Sequence, residues 1–244
     1  DADDGGHCGG SSCGQLYGKS LNFVVTNSQS GGTGILAVGA NGGNARSSLN
    51  FWNNPANAGP GVAITHATST TQIANADFSN YAAIYIASND NNTYGGMTST
   101  QLNALNARQT DIVTFVNNLG GGLMALTEAR DAAKYDWLPL SLSTSNVSHS
   151  SGIRPTPEMN LFAPGITYGN LNHGCCYHNV FTGPAGFSGL KVLAFHDHNG
   201  NQTYDGPATD HAVILGGAQI TIQGNISLTP ATALNGTGDP HTVT

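Results

Sequence analysis

Charged side chains are scarce in this chain. Of its 244 residues only 9% are Asp, Glu, Lys or Arg, whereas an average soluble domain has about 25%. Seven Lys and Arg stand against fourteen Asp and Glu, which gives a net charge of −7 at pH 7. No basic face is therefore available to neutralise phosphates, and the composition excludes nucleic acid as a partner. Asn, Ser, Thr and Gly must make the surface polar, as is common in secreted and cell-surface proteins.

Long hydrophobic runs are also lacking, since none approaches the roughly 18 apolar residues that a membrane-spanning helix needs. The chain opens at Asp1, without an initiator Met or an apolar leader, which favours a mature secreted form. We therefore expect an extracellular or cell-surface location and no membrane span. Five Asn-x-Ser/Thr sequons are compatible with glycosylation there. They begin at Asn91, Asn146, Asn201, Asn225 and Asn235.

Cysteine is limited to four residues, two near the start of the chain and two adjacent to each other further on. Adjacent cysteines bond outward to different partners, because a ring closed between neighbours is strained. The sequence therefore predicts disulfides from the adjacent pair to the first two cysteines, within one subunit or between two. A soft-metal site is the alternative, because histidines flank the thiols. These residues are Cys8, Cys13, Cys175 and Cys176, with His7, His173 and His178 beside them.

The clearest candidate site is the polar segment 197–205, which follows the apolar run of residues 190–195. Side-chain oxygens recur there at alternate positions, as in loops that wrap Ca²⁺ with six to eight oxygen ligands. A glycine at position 200 and Ala208 in place of a Glu depart from the EF-hand pattern, so we predict a calcium loop of another type. An Asx-rich turn closed by its own side chains is the alternative. The predicted ligands are Asp197, Asn199, Asn201, the carbonyl of Thr203, and Asp205, with Asp210 close behind.

The chain divides into three segments. Residues 1–20 are rich in Gly, Asp and Cys and predict an irregular arm. Residues 21–217 contain short continuous apolar runs, which indicate strands buried on both faces, and so a doubly wound, mostly parallel α/β sheet covered by helices. Residues 218–244 alternate as a strand-forming tail. The runs of the middle segment are residues 21–26, 34–39, 62–65, 81–87, 122–126, 190–195 and 211–215.

Two helices are predicted within the middle segment. The stronger covers residues 98–119, because Thr98 and Gln101 have capping-box spacing and Gly120 is placed to end the helix in the left-handed conformation. The second covers residues 44–52. Ligands collect at the carboxyl ends of the strands in such a sheet. We expect three polar loops to form one rim at that edge, namely residues 40–44, 88–92 and 197–205.

Residues 35–43, 77–87 and 102–126 together resemble the flavodoxin-like core of the class I glutamine amidotransferase-like superfamily, a resemblance that covers about residues 21–217. Catalytic members carry a cysteine nucleophile at the turn after the strand that here ends at Leu126. This chain has Thr127 and Glu128 at that turn, so the resemblance implies a non-catalytic member. Residues 226–244 are similar to the opening strands of bacterial immunoglobulin-like repeats of surface proteins. Such domains need about 100 residues, so either the chain is cut within a repeat or this strand pairs with a neighbouring sheet.

These features predict a secreted, calcium-stabilised, non-catalytic building block of a surface assembly or filament, which self-associates through residues 1–20 and 218–244. Two alternatives stay open. One is a calcium-dependent secreted hydrolase of glycan or peptide, in which Glu128 works with His173 or His178. The other is a carbohydrate-binding adhesin module in which calcium contacts sugar hydroxyls.

Overall fold

The structure is a computed structural model of the chain. It describes residues 11–89, 92–126, 136–138, 140–147, 149, 151–172 and 179–217, with side chains from residue 15 onward. Strands and helices of this part form an α/β fold with two separate sheets. None of the helices in the described part is long and apolar enough to cross a membrane.

The first sheet consists of four short parallel strands. They are β1 (Ile35–Val38), β2 (Ile64–Ala67), β3 (Ala83–Ile86) and β4 (Gly122–Ala125). Their spatial order is β2-β1-β3-β4. Every residue of β1 and β3 is buried, as the continuous apolar runs predict for a parallel sheet covered on both faces.

Helices cover the two faces of this sheet. Alternation along β1 sends Leu36 and Val38 into one core and Ile35 and Ala37 into the opposite one. The helices α3, α4 and α5 contribute to the first core, and α1 and α2 contribute to the second. Their bounds are α1 (Ser11–Thr26), α2 (Gly43–Asn53), α3 (Thr70–Asn75), α4 (Ser99–Asn106) and α5 (Gln109–Val113), which a π-helical turn (Thr114–Asn118) continues.

The second sheet is antiparallel, and it corrects the prediction of a single, mostly parallel sheet. Its spatial order is β5-β7-β9-β8-β6. The runs 190–195 and 211–215 were expected in the parallel sheet, but the loop that joins them carries no helix and turns straight back. Neighbouring parallel strands need a crossover, usually helical. The strands are β5 (Ser143–Ser145), β6 (Ile153–Pro155), β7 (Val180–Gly183), β8 (Lys191–His196) and β9 (His211–Gly216), with the short helices α6 (Met159–Phe162) and α7 (Tyr168–Leu171).

Helix α1 corrects two further predictions, an irregular backbone at residues 11–20 and a strand at residues 21–26, while residues 1–10 of the predicted arm lie outside the described residues. The backbone is helical from Ser11 to Thr26, because the apolar residues of this stretch find two cores to pack against. Leu16 is buried among residues of the second sheet, and Leu21 is buried in the core of the first. Gly18 lets α1 lie against the backbone of Asn57, where an added Cβ would stand 2.0 Å from the carbonyl oxygen.

The predicted helix at residues 98–119 is correct at its two ends and interrupted in the middle. The capping box between Thr98 and Gln101 is present, and Gly120 has a φ of +68°. At the interruption between α4 and α5, the guanidinium of Arg108 donates to the carbonyls of Ile73, Ala74 and Ala76 at the end of α3. The predicted helix at residues 44–52 is confirmed as α2. The predicted tail, residues 218–244, lies outside the described residues.

We expect Leu21→Ala to lower the free energy of unfolding by about 2–5 kcal/mol, because it empties a fully buried site between α1 and the first sheet. The matched control is Leu161→Ala, since the Leu161 side chain is 68% exposed and its truncation should cost less than about 0.5 kcal/mol. Urea denaturation of the two variants measures the difference. Equal costs would contradict the packing of α1 described above.

Candidate functional site

The predicted calcium loop connects two antiparallel strands of the second sheet. At its base His196 of β8 stands opposite His211 of β9. The loop therefore belongs to a hairpin and does not follow a strand of the parallel sheet, which corrects the expectation that it shares a rim with the other two polar loops. Of those two, residues 40–44 lie next to the second loop, because the Asn41 amide is 3.4 Å from Asn92 Oδ1.

Asp197 opens the loop with a buried carboxylate. Its Oδ2 accepts hydrogen bonds from Arg154 Nε at 2.5 Å and from the N–H of Gln202 at 3.1 Å. Burial raises the pKa of Asp197, but the hydrogen bonds from Arg154 and Gln202 and the nearby backbone N–H of Gly200 outweigh it and hold that pKa below its usual value. The carboxylate is therefore ionised at neutral pH. Its other oxygen, Oδ1, is buried and has no hydrogen-bond partner among the described residues.

Asp210 closes the loop from its far end. Its side chain is fully buried, and both carboxylate oxygens are already used by the loop backbone. Oδ1 accepts from the N–H of His198 at 3.0 Å, and Oδ2 accepts from the N–H of Asp205 at 2.8 Å. Asp210 thus shapes the loop by tying its two ends together.

The remaining predicted ligands are brought together around Asp205. The amide nitrogens of Asn199 and Asn201 both donate to Asp205 Oδ2, at 2.7 and 2.6 Å. The amide oxygens accept from the backbone two residues ahead, Asn199 from Asn201 and Asn201 from Thr203. These hydrogen bonds form Asx turns. The loop therefore contains the hydrogen bonds expected of an Asx-rich turn closed by its own side chains, which is the alternative to a calcium loop. Among the described residues, no three His, Cys, Asp or Glu side chains are grouped closely enough to hold a metal ion.

The donor set of the loop nevertheless fits Ca²⁺, which binds carboxylate, amide and backbone oxygens. Two amide groups point their N–H donors at one carboxylate, which is the arrangement expected when these donors take the place of a cation. Two aspartates and two asparagines of this loop thus supply oxygens for a hard cation.

A histidine cluster at the base of this loop was missed by the sequence analysis. The rings of His149 and His196 are stacked with centroids 3.7 Å apart, and His149 Nε2 lies 3.3 Å from His211 Nδ1. His198 stands nearby, with its ring centroid 6.1 Å from that of His196. The alternation His196-Asp197-His198 was visible in the sequence. Only the pairing of β8 with β9 brings His211 beside His196, and only the tertiary structure stacks His149 on His196.

The other predicted site residues lie beyond what the structure describes. This holds for the weak catalytic candidates Glu128, His173 and His178, for the sequons at Asn91, Asn225 and Asn235, and for the side chains of Cys8, Cys13, Cys175 and Cys176. Asn146 is described and exposed. The Asn201 amide is engaged with Asp205, and this contact competes with glycosylation at the fifth sequon.

Comparison with known proteins gives no relative from which a function could be transferred. No family model, no curated protein and no solved structure matches this chain.

The histidine cluster predicts a loss of stability in mild acid. Burial, together with the nearby rings of His196, His211 and His198, lowers the pKa of His149 from 6.5 to about 4. A histidine with a lower pKa in the folded state stabilises the fold fully above its unfolded pKa, and this contribution is lost as the pH falls below it. We expect the free energy of unfolding to decline between pH 6.5 and 4, and to decline less steeply in His149→Gln. Urea titrations across this range measure both slopes, and equal slopes would contradict the expectation.

Proposed function

We propose that this chain is a calcium-binding, non-catalytic structural domain that serves as a building block of an extracellular surface assembly or filament. The observation that carries the calcium proposal is the buried Asp197 carboxylate, whose Oδ1 has no hydrogen-bond partner among the described residues. An unsatisfied buried acceptor costs about 1–3 kcal/mol, and more when it is charged. A cation at this oxygen would remove that cost.

The loop offers further oxygens for the same ion. Asp197, Asn199, Asn201, the carbonyl of Thr203, and Asp205 would hold it, while Asp210 keeps the loop backbone in place. The amides of Asn199 and Asn201 donate hydrogen bonds to the negatively charged carboxylate of Asp205. Bound calcium would replace these two donors and neutralise the charge of the carboxylate. It would also tie the loop to the ends of β8 and β9, and so stabilise the hairpin.

The structural role rests on composition and topology. A surface made polar by uncharged residues suits a secreted domain, and the low content of basic residues argues against nucleic acid as a partner. The strand order β2-β1-β3-β4 agrees with the first four strands of the flavodoxin-like order, which supports the resemblance to the glutamine amidotransferase-like superfamily. Self-association through residues 218–244, with disulfides that involve the four cysteines, completes the proposal.

A carbohydrate-binding adhesin module is the second candidate, with its sugar site away from the calcium loop, whereas the sequence predicted that calcium contacts the sugar hydroxyls. The observation that favours it is an uncharged cleft at the edge of the parallel sheet, lined by amide and hydroxyl groups. The hydrolase alternative has no comparable support in the described part of the chain.

The calcium proposal predicts a metal-dependent melting temperature. A ligand that binds only the folded state stabilises it by about 2.7 kcal/mol when its concentration is a hundredfold above Kd. We expect Ca²⁺ to raise the melting temperature of EDTA-treated protein. Asp205→Asn should abolish this shift without unfolding the chain, because residue 205 is exposed. Asp136→Asn is the matched control, since Asp136 is also exposed and lies outside the loop.

Calorimetric scans with and without Ca²⁺, together with elemental analysis of the purified protein, make the measurement. The calcium proposal is wrong if the melting temperature is unchanged by both Ca²⁺ and EDTA and no metal is found. A shift that survives unaltered in Asp205→Asn would place the ion elsewhere in the protein.

The assembly proposal predicts that particle size depends on the tail. We expect the full chain to form particles larger than a monomer in small-angle scattering. Deletion of residues 224–244 should reduce them to monomers while the circular dichroism spectrum keeps its helix and strand signal. A truncated chain that still assembles like the full chain would show that the tail is not the contact.

A further inference from the structure

A shallow, open cleft of about 450 Å³ lies at the carboxyl ends of the parallel strands. Asn41 follows β1, Thr68 follows β2, and Asn92 follows β3. The chain leaves β1 toward β2 on one side and later returns to β3 on the other. This reversal of strand order is the place where open α/β sheets bind ligands.

The lining of the cleft is polar and carries no charge. A phosphate or carboxylate ligand would call for a basic side chain, and a metal ion would call for a carboxylate. Neither type of side chain lines the cleft. Each threonine of the lining carries a methyl group beside its hydroxyl, which suits a ligand with both C–H and O–H groups. The lining residues are Asn41, Thr68, Ser69, Thr70, Asn92, Thr98, Thr100 and Gln101.

The floor of the cleft is a rigid pair of amides. Asn41 donates to Gln101 Oε1 at 2.9 Å, and Gln101 donates back to Asn41 Oδ1 at 2.7 Å. Gln101 is 5% exposed, and its amide also donates to the carbonyl of Thr68 at 2.6 Å. The loops after β1 and β2 and the start of α4 are therefore held together by one buried side chain. A site fixed in this way loses little conformational entropy when a ligand binds.

The rim of the cleft presents hydroxyl groups to solvent. Ser69, Thr70 and Thr100 are exposed. Ser69 Oγ accepts the N–H of Gln72 as a helix cap, which leaves its own hydrogen free to donate. Thr70 Oγ1 has no hydrogen-bond partner among the described residues, and Thr100 Oγ1 lies 3.0 Å from the Thr98 hydroxyl. Each of these groups can donate to and accept from a ligand hydroxyl.

We infer that this cleft binds a neutral carbohydrate, and that it does so without calcium. The inference rests on the fixed amide floor, the hydroxyl rim and the lack of charge in the lining. A sugar offers adjacent hydroxyls that donate and accept, together with C–H faces that match the threonine methyl groups. The site is independent of the 197–210 loop, so it does not rest on the calcium proposal.

The test uses the full chain and four neutral probes, namely the hexasaccharides of maltose, cellulose, chitin and mannan type, in EDTA. Saturation-transfer NMR identifies a bound probe, and calorimetric titration measures its affinity. We expect at least one probe to bind, and the double variant Thr70→Val/Thr100→Val to bind it about tenfold more weakly, as the loss of two neutral hydrogen bonds implies. Thr70→Ser/Thr100→Ser keeps both hydroxyls and should bind the probe more tightly than the valine variant. Thr71→Val is the matched control on the same helix, exposed and outside the lining.

All the changed side chains are exposed, so the variants should fold like the unchanged protein. Thermal melts check that they do. Failure of all four probes to bind overturns the inference, and so does binding that the valine variant leaves unchanged. Binding that requires Ca²⁺ and is lost in Asp205→Asn would also overturn it, because the sugar would then sit at the hairpin loop. Failure of the calcium proposal alone would leave this result untouched.

Discussion

The packing of α1 between the two sheets is the contact on which the rest of the structure depends. The helix turns Leu16 toward the core of the antiparallel sheet and Leu21 toward the core of the parallel sheet. Both side chains are almost completely buried. Lys19 adds a hydrogen bond to the carbonyl of Pro164, 2.5 Å away. Two different sides of α1 thus pack against two sheets that share no strand. These contacts hold the two sheets in their relative position.

The orientation of β8 and β9 decides where the candidate sites lie. A crossover helix between them would have placed segment 197–210 at the edge of the parallel sheet, beside Asn41 and Asn92. The hairpin places it instead at one end of the antiparallel sheet, over His196 and His211. The two candidate sites therefore lie on different sheets and contain different kinds of polar group. The charged oxygens and imidazoles belong to the second sheet, and the neutral amides and hydroxyls belong to the first.

Features that depend on neighbouring residues could be predicted from the sequence. The buried strands β1 and β3, the helix α2 and the capping box at Thr98 all rest on patterns within a few residues. The break at Arg108 could not be predicted in this way, because the guanidinium binds carbonyls some 30 residues earlier. The strand predicted at residues 21–26 failed for a related reason. A short apolar run is compatible with either a strand or a helix until its packing partners are known.

The candidate sites show the same division. The amino-acid sequence alone determined the low charge, which is a property of composition. It also determined the alternating oxygens of segment 197–205 and the hydroxyl-rich turns, which are properties of residue spacing. Only the tertiary structure decided that Asp197 keeps one buried oxygen with no partner among the described residues, that His149 stacks on His196, and that Gln101 closes a cleft with Asn41. Each of these contacts joins residues far apart in the chain or depends on burial. Burial and long-range proximity arise from the packing of whole elements, which no local pattern encodes.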